Sequence, residues 1–255
     1  MTLPTALNTT IDYAHLRRPE VAPTHRELKR WVWSWLLRGE ALGVNGAVKR
    51  RWYVRRHKLW EYARGLAYTG ASRAARKSGE KFTVLDVGGA MTLPVFMLAE
   101  LGDTVVCLDI DANLTARTNE ITLRRKLAVD ARTTNLASDR SGPEAFGASG
   151  GFDRVYSFCV LEHIPGEAQR RVASRMADLL KPGGLMCVTF DFGVDAPTEQ
   201  PLHTPVHVAA LRQAIGLPLA SGGEFSDNGL RFALDRRRPD ARYTFGSLFF
   251  QKPAV

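Results

Sequence analysis

The sequence predicts an α/β protein: seven strands in a mostly parallel sheet, a C-terminal antiparallel strand and an N-terminal helical lid. The first observation is the stretch at residues 82–92, FTVLDVGGAMT, where an unbroken apolar run ends in Asp86 and two glycines lead into a helical period. The second is the further alternation of apolar runs with helical segments, which is typical of a parallel sheet covered by helices. The third is a pair of alternating segments near the end of the chain, which indicates antiparallel pairing.

The composition is that of a globular protein with a basic balance. The 255 residues are 45% hydrophobic and carry a formal net charge of +9. No apolar run is long enough to cross a bilayer, and the first residues lack the basic-then-apolar order of a signal peptide, so we expect a cytoplasmic protein. Each of the three cysteines lies in an apolar run and is expected to be a small buried core residue: Cys107, Cys159 and Cys187.

Residues 1–70 are predicted to form an arm and a helical lid, and residues 71–255 the α/β core. The proline-containing arm, residues 1–24, is expected to be poorly ordered or to lie over the domain as a strap. Two helices follow, separated by a break at Gly39–Gly46. Their apolar residues recur at helical spacing: Leu28, Trp31, Val32, Trp35 and Leu36 in the first, and Trp52, Leu59, Ala63 and Leu66 in the second.

The function of these two helices stays open between three interpretations. All five tryptophans of the chain lie between Trp31 and Trp60, and five basic residues surround the second helix: Arg50, Arg51, Arg55, Arg56 and Lys58. A basic surface with aromatic residues could bind nucleic acid. The core spacing of the tryptophans instead favours helices packed on the domain, and such helices could also cover a substrate pocket.

The core elements follow in a regular order after the linker at residues 71–81. Predicted strands cover 82–87, 104–110, a short part of 127–134, 154–159 and 185–190, and predicted helices cover 93–101, 112–126, 166–180 and 206–215. The last two strands, about 229–235 and 243–251, alternate in polarity and are predicted to form a hairpin.

Acidic residues mark the ends of the first two core strands, where ligands of such sheets bind. Asp109 lies 109 − 86 = 23 positions after Asp86, a spacing that suits recognition of an adenosine ribose by hydrogen bonds to its hydroxyls. The chain has no G-x-G-x-x-G, because Gly88 and Gly89 are adjacent. The carboxylate of Asp86 before these glycines would repel a pyrophosphate but suits a ligand with an amino group.

Four stretches together resemble the successive motifs of class I S-adenosylmethionine-dependent methyltransferases. They are VLDVGGA at 84–90, CLDI at 107–110, FDRVYSFCVLEHI at 152–164 and LLKPGGLMCVTF at 179–190. The last two are most similar to the small-molecule and lipid branch. The resemblance covers residues 82–190 and implies a Rossmann-like sheet and S-adenosyl-L-methionine as the cofactor. That family usually has glycines where this chain has Ala90 and Thr92.

The resemblance also implies cofactor-binding roles for individual residues. Asp86 would hold the methionyl amino group, the backbone at Gly88, Gly89 and Ala90 would approach the methionyl part and the sugar, and Asp109 would bind the ribose hydroxyls. The remaining residues implied at the cofactor are Ile110 packing on adenine, Asp130 at the adenine amino group with Ala131 donating a backbone N–H, and Phe158 and Cys159 lining the methyl-donor side. Asn135 is the alternative to Asp130.

Candidate catalytic and substrate residues follow the fourth and fifth core strands. His163 could act as the general base for an oxygen nucleophile, whereas Glu162 is expected to hold backbone. Asp191, His203 and His207 are candidates for contact with the substrate. No residues have metal-ligand spacing along the chain, so we expect no metal.

The most favoured function is methyl transfer to an oxygen or nitrogen atom of a small-molecule acceptor. One alternative is an RNA or DNA methyltransferase that uses the basic tryptophan-rich helices. It lacks the Asn-Pro-Pro-Tyr-type tetrapeptide of amino-methylating nucleic-acid enzymes, since Ser157–Val160 reads SFCV. The other alternative is a Rossmann-like binding protein without catalysis. The tryptophan-rich helices could also form a homodimer interface.

Overall fold

The computed structural model describes residues 7–37, 55–198, 202–221 and 223–254. Several features of the predicted lid, namely the break at Gly39–Gly46, Trp52, Arg50 and Arg51, lie outside the described residues. The main helices are α1 (Ala22–Leu37), α2 (Arg56–Tyr68), α3 (Leu93–Glu100), α4 (Ala112–Arg125), α5 (Gly166–Leu179) and α6 (Pro205–Ile215). The strands are β1 (Thr9–Thr10), β2 (Thr83–Val87), β3 (Thr104–Asp109), β4 (Val129–Thr133), β5 (Phe152–Phe158), β6 (Leu180–Phe192) and β7 (Thr244–Gln251).

The described residues form a seven-stranded, mostly parallel sheet with helices, which confirms the predicted fold class. The chain divides into two compact units, which we call the N-proximal unit (Tyr13–Asn135) and the C-proximal unit (Met1–Asp12 with Leu136–Val255). None of the described helices is both long and apolar enough to span a membrane.

The N-proximal unit contains three parallel strands, because β2 pairs with β3 and β3 pairs with β4. The inner residues of β3, 105–108, are apolar and buried, as are Val84 and Leu85 of β2, whereas β4 exposes Asp130. Helix α4 begins at a side-chain cap, since the carboxylate of Asp111 accepts hydrogen bonds from the N–H groups of Asn113 and Leu114.

Helices α1 and α2 belong to this unit. Helix α1 buries one face, as the apolar spacing predicted, whereas residues 59–68 of α2 are all buried, so α2 does not keep an exposed face over that length. Leu28 and Trp35 of α1 are completely buried, and Trp60 of α2 is too. Trp31 is half-buried, and among the described tryptophans it is Trp33 that is largely exposed, at 60%. The complete burial of Trp35 and Trp60 favours helix packing over a surface for stacked bases.

The C-proximal unit differs from the sequence prediction at both chain ends. Residues 229–235 form no strand, and only an isolated bridge joins Phe232 to Tyr243, so the predicted closing hairpin is wrong. Instead, β7 pairs antiparallel with β6 on one side and with β1 on the other. The seventh strand is therefore supplied by the N-terminal arm, whose residues Thr9 and Thr10 are buried.

Strand β6 is longer than predicted because the LKPGG segment continues it. The parallel pairing of β5 with β6 shifts register between Phe152 and Arg154, which marks a β-bulge. Gly183 has a positive φ of 75° there, and its N–H donates to the carbonyl of Lys252 at 2.9 Å. Gly183 thus lies in the irregular part of β6.

Candidate functional site

The glycine loop, residues 88–92, lies at the carboxyl edge of β2 and β3. Val87 is paired with Leu108, and the N–H of Gly88 donates to the Leu108 carbonyl at 2.7 Å. Asp109 is the last residue of β3. Asp86, the loop and Asp109 therefore share one edge of the N-proximal unit, as their order in the sequence predicted.

The carboxyl group of Asp86 is buried beneath the glycine loop. The residue is 1% exposed, and neither carboxyl oxygen has a hydrogen-bond partner among the described residues. Burial, with a smaller contribution from the charge of Asp109, raises the pKa of Asp86 to about 8. A Cβ on Gly89 would lie 2.3 Å from the Asp86 Cγ atom, so only glycine fits over this carboxyl group.

The loop closes tightly although it lacks the further glycines of related motifs. Gly88 and Met91 both have positive φ angles, of 77° and 63°. The N–H of Met91 donates to Oγ1 of Thr118 at 2.9 Å, and Oγ1 of Thr92 donates to the carbonyl of Gly89 at 2.7 Å. Hydroxyl groups thus hold a turn that glycines usually make.

Asp109 and Ile110 lie beside the loop and face outward. Asp109 is half-buried, and its Oδ1 accepts a hydrogen bond from the N–H of Asp111 at 3.0 Å. Ile110 is 78% exposed. An exposed branched apolar side chain next to a carboxylate suits a nucleoside. The flat base can pack on the side chain, and the sugar hydroxyls can donate hydrogen bonds to the carboxylate.

Asp130 lies at the second position of β4, away from the edge that holds Asp109. The register pairs Asp130 with Val106 and Thr133 with Asp109, so the carboxyl end of β4 lies three residues beyond Asp130. Asp130 also forms an ion pair with Arg132. Asn135 follows the strand end, and the N–H of Thr134 donates to the carbonyl of Asp109 at 2.8 Å. The structure therefore brings Asn135, and not Asp130, to the edge.

The backbone of Ala131 forms hydrogen bonds with a side chain of α4. Its N–H donates to Oδ1 of Asn119 at 3.0 Å, and its carbonyl accepts from Nδ2 of the same side chain at 2.7 Å. Ala131 therefore has a structural partner in α4 where the resemblance implied an adenine contact.

Sequence reasoning missed how helix α1 is fixed to the glycine loop. The indole N–H groups of Trp31 and Trp35 donate to the two carboxylate oxygens of Glu100, at 2.6 and 2.9 Å. Trp35 also packs in one buried cluster with Met91 of the loop and Phe96. The i, i+4 tryptophan pair was visible in the sequence, but nothing in the sequence identified Glu100 as its acceptor.

A second group of candidate residues lies at the carboxyl ends of β5 and β6 in the C-proximal unit. Cys159 follows β5 in a left-handed conformation, with φ 56°, and its Sγ lies 3.8 Å from Oδ1 of Asp191 and from Oγ1 of Thr189. Cys159 is half-buried, unlike the two other cysteines, which are core residues. Phe158 is buried, and its ring stacks on Tyr156.

Glu162 and Asp191 complete this group, which we call the Cys159 cluster. Oε1 of Glu162 accepts a hydrogen bond from the N–H of Asp191 at 2.9 Å, so Glu162 holds backbone as predicted. The ligating atoms of Cys159, Glu162 and Asp191 all lie within 4.8 Å of one another. The fold thus assembles a potential metal-ligand set from residues whose spacing along the chain gave no such signal.

Of the three candidate histidines, His163 and His207 are exposed and His203 is half-buried. His163 ends the short 3₁₀ helix Leu161–His163 that follows β5. His203 and His207 lie at the start of α6, where the N–H of His203 donates to Nδ1 of His207 at 3.3 Å. These two histidines contact each other, whereas Asp191 belongs to β6.

Comparison with known proteins agrees with this geometry. Residues 85–186 match the family model described as a methyltransferase domain. This range begins in β2, before the glycine loop, and ends in β6. A search of curated proteins gave no match.

Solved structures share the fold at low sequence identity. The [4+2]-cyclase SpnF aligns over 100% of this chain and 98% of its own, with a TM-score of 0.59 and 13% identity. TehB from Haemophilus influenzae aligns over 68% of this chain with a TM-score of 0.53 and 17% identity, and the alignment spans 58% of TehB. A SAM-dependent methyltransferase from Methanosarcina mazei aligns over 69% of this chain and 94% of its own, with a TM-score of 0.51 and 17% identity.

Proposed function

We propose that this chain is a class I S-adenosylmethionine-dependent methyltransferase and that it methylates an oxygen or nitrogen atom of a small-molecule acceptor. The match of residues 85–186 to a methyltransferase domain supports the proposal. The observation that carries the proposal is the buried carboxyl group of Asp86, which has no hydrogen-bond partner in the described structure. A buried carboxyl group without a partner is costly, and a ligand that brings an ammonium group removes that cost.

The residues of the N-proximal unit fit S-adenosyl-L-methionine. Asp86 would hold its α-ammonium group, Asp109 its ribose hydroxyls, and exposed Ile110 its adenine, with Asn135 at the rim of the same edge. Gly88, Gly89 and Ala90 leave room for the ligand over Asp86, since a side chain on Gly89 would collide with the carboxyl group. The bound cofactor supplies an activated methyl group on a sulfonium, and the protein's task is to orient the acceptor toward it.

A small-molecule acceptor is favoured by two features of the chain. The segment after β5 reads SFCV and lacks the tetrapeptide of amino-methylating nucleic-acid enzymes. Of the described tryptophans, Trp35 and Trp60 are completely buried and Trp31 is half-buried, so few of them could stack on bases. In this proposal α1 and α2 serve as a lid on the glycine loop.

An oxygen or nitrogen acceptor loses a proton when it is methylated, and we assign that proton to His163. The residue is exposed at the end of the 3₁₀ helix that follows β5, and the neighbouring strand β6 bears Asp191. Cys159 and Phe158 would line the methyl-donor side, and Asp191, His203 and His207 would contact the acceptor.

The test is a calorimetric titration with S-adenosylmethionine and S-adenosylhomocysteine on the wild type, Asp109→Ala and His163→Ala. We expect micromolar binding to the wild type and a loss of about 30-fold in Asp109→Ala, because a hydrogen bond to a charged group contributes about 2 kcal/mol. His163→Ala should retain cofactor binding and lose turnover in a screen of hydroxyl and amine acceptors with methyl-labelled cofactor. Binding without transfer to any acceptor would favour a non-catalytic binding protein, and selective methylation of RNA or DNA would replace the small-molecule acceptor.

A further inference from the structure

A groove in the N-proximal unit is lined by basic residues and lies apart from the glycine loop. Its volume is about 610 Å³, within the range of small-ligand sites. One face of α1 forms one wall, with Pro23, Arg26, Glu27, Arg30, Trp31 and Ser34 at helical spacing. The other wall consists of Arg73, Ala74, Glu100 and Leu101.

The two carboxylates of this groove are already occupied by neutral donors. Glu27 accepts hydrogen bonds from the backbone N–H groups of Arg73 and Ala74, at 3.3 and 3.2 Å. Both oxygens of Glu100 accept indole N–H groups, as described above. Glu27 therefore contacts Arg73 through the backbone N–H of that residue and not through its guanidinium group.

The three arginines of the groove have guanidinium groups that can bind a ligand. Within the described part of the chain, the guanidinium groups of Arg26, Arg30 and Arg73 form no hydrogen bond or ion pair, and all three residues are exposed. Arg26 and Arg30 lie one turn apart on the same face of α1, so their charges converge on the same groove. Three guanidinium groups around one concavity attract an anion and match the geometry of phosphate oxygens.

The groove is not part of the cofactor site. Helix α3 begins just after the glycine loop and ends at Glu100, and its 8 residues separate its two ends by about 12 Å. The groove lies at the C-terminal end of α3, whereas Asp86 and the glycine loop lie at its N-terminal end. A ligand in the groove would therefore lie at the opposite end of α3 from Asp86 and the glycine loop.

We propose that this groove is a separate binding site for a small phosphate-bearing ligand, held by Arg26, Arg30 and Arg73. The groove is less suited to nucleic acid. A surface that follows the backbone of a nucleic acid needs a row of basic residues along the protein, whereas these three arginines surround a single concavity. The site is independent of the acceptor of the methyl transfer.

The experiment titrates inorganic pyrophosphate into the full chain at an ionic strength of about 0.15 M, where scattered surface charges are largely screened. Arg30→Gln and Arg73→Gln test the two walls of the groove separately. Arg171→Gln is the matched control, because Arg171 is an exposed arginine of α5 outside the groove. Circular dichroism checks that each variant is folded.

We expect the wild type and Arg171→Gln to bind pyrophosphate equally, and each groove variant to bind about tenfold more weakly. S-adenosylhomocysteine should bind to all four proteins with the same affinity. Absence of binding to the wild type, or equal weakening in all three variants, would overturn the proposal. A single-stranded oligonucleotide that binds far more tightly than pyrophosphate and is weakened by the same two groove variants would replace the small ligand with nucleic acid.

Discussion

Asp86 is the residue whose protonation should report cofactor binding. Because its pKa is raised to about 8 by burial, roughly nine-tenths of the molecules carry a proton on Asp86 at pH 7. The ammonium group of the cofactor favours the ionised carboxylate, so binding should release close to one proton at that pH. Calorimetry in two buffers of different ionisation enthalpy measures this release.

The matched variant for this prediction is Asp86→Asn, which resembles the protonated side chain in shape and cannot ionise. Its cofactor binding should be weaker and free of proton release. If the wild type takes up or releases no proton between pH 6.5 and 8, Asp86 does not carry the proposed role.

Gly89 lies so close to Asp86 that a side chain should disturb the site, because an alanine Cβ would lie 2.3 Å from the carboxyl group of Asp86. Gly89→Ala should displace that carboxyl group, cost about 1–3 kcal/mol of stability and weaken cofactor binding at least tenfold. Urea unfolding and cofactor titration measure the two effects.

Gly142→Ala is the control for Gly89→Ala. There a Cβ meets only the terminal oxygen of the flexible Glu144 side chain, at 2.8 Å, and that side chain can move away. An equal loss of cofactor affinity in both variants would show that the contact with Asp86 is not the cause.

Sequence spacing identified Asp86 and Asp109 because the order of strands and loops determines which edge they share. It gave no measure of the burial that raises the pKa of Asp86, since burial depends on packing around the loop. It also left Asp130 and Asn135 unresolved, because a short strand can end at several positions in VDARTTN. The pairing of Thr133 with Asp109 is the observation that distinguishes them.

Helix α1 offers a prediction at the scale of an element, because it is fixed to α3 through one carboxylate. Glu100→Gln replaces an oxygen acceptor by an amide NH₂, which cannot accept the second indole N–H. We expect a loss of about 1–3 kcal/mol in the free energy of unfolding. Cofactor affinity should also fall, since Trp35 packs against Met91 of the glycine loop.

Glu120→Gln serves as the control for this change. Glu120 is an exposed residue of α4 that forms an i, i+4 ion pair with Arg124, and such pairs contribute only about 0.3–0.5 kcal/mol. If Glu100→Gln is as mild as Glu120→Gln in urea unfolding, the indole–carboxylate contacts do not fix the helix.

Elements with strong periodicity could be predicted from the sequence, and those that depend on distant pairing could not. The predicted strand at 104–110 agrees with β3 because of its unbroken apolar run, and the predicted helix at 112–126 agrees with α4, which Asp111 caps. Strand β1 has only two residues, so its sequence has no periodicity, and it exists because β7 offers an edge to Thr9 and Thr10. The alternation in 229–235 gave a strand signal, yet β7 already has partners on both sides.

At the scale of the molecule, two buried groups of the N-proximal unit give opposite pH dependences of stability. Burial lowers the pKa of His57 to about 3, so the unfolded chain binds more protons there between pH 3 and 6.5, and stability rises with pH in that window. Burial raises the pKa of Asp86 to about 8, so the folded chain binds more protons between pH 4 and 8, and stability falls as pH rises.

These two contributions oppose each other below pH 6.5, and only that of Asp86 remains above it. The free energy of unfolding of the protein without cofactor should therefore fall by about 1.5 kcal/mol between pH 6.5 and 8. Urea unfolding at half-unit pH steps measures this fall, and Asp86→Asn should abolish it. Below pH 6.5 the same variant should show the rise of stability with pH that His57 causes, because the opposing contribution of Asp86 is gone. Saturating S-adenosylhomocysteine should also remove the fall, because an ammonium partner keeps the ionised carboxylate stable in the folded state. A slope that persists in Asp86→Asn would assign the pH dependence to other groups and would contradict the burial of an unpartnered carboxyl group beneath the glycine loop.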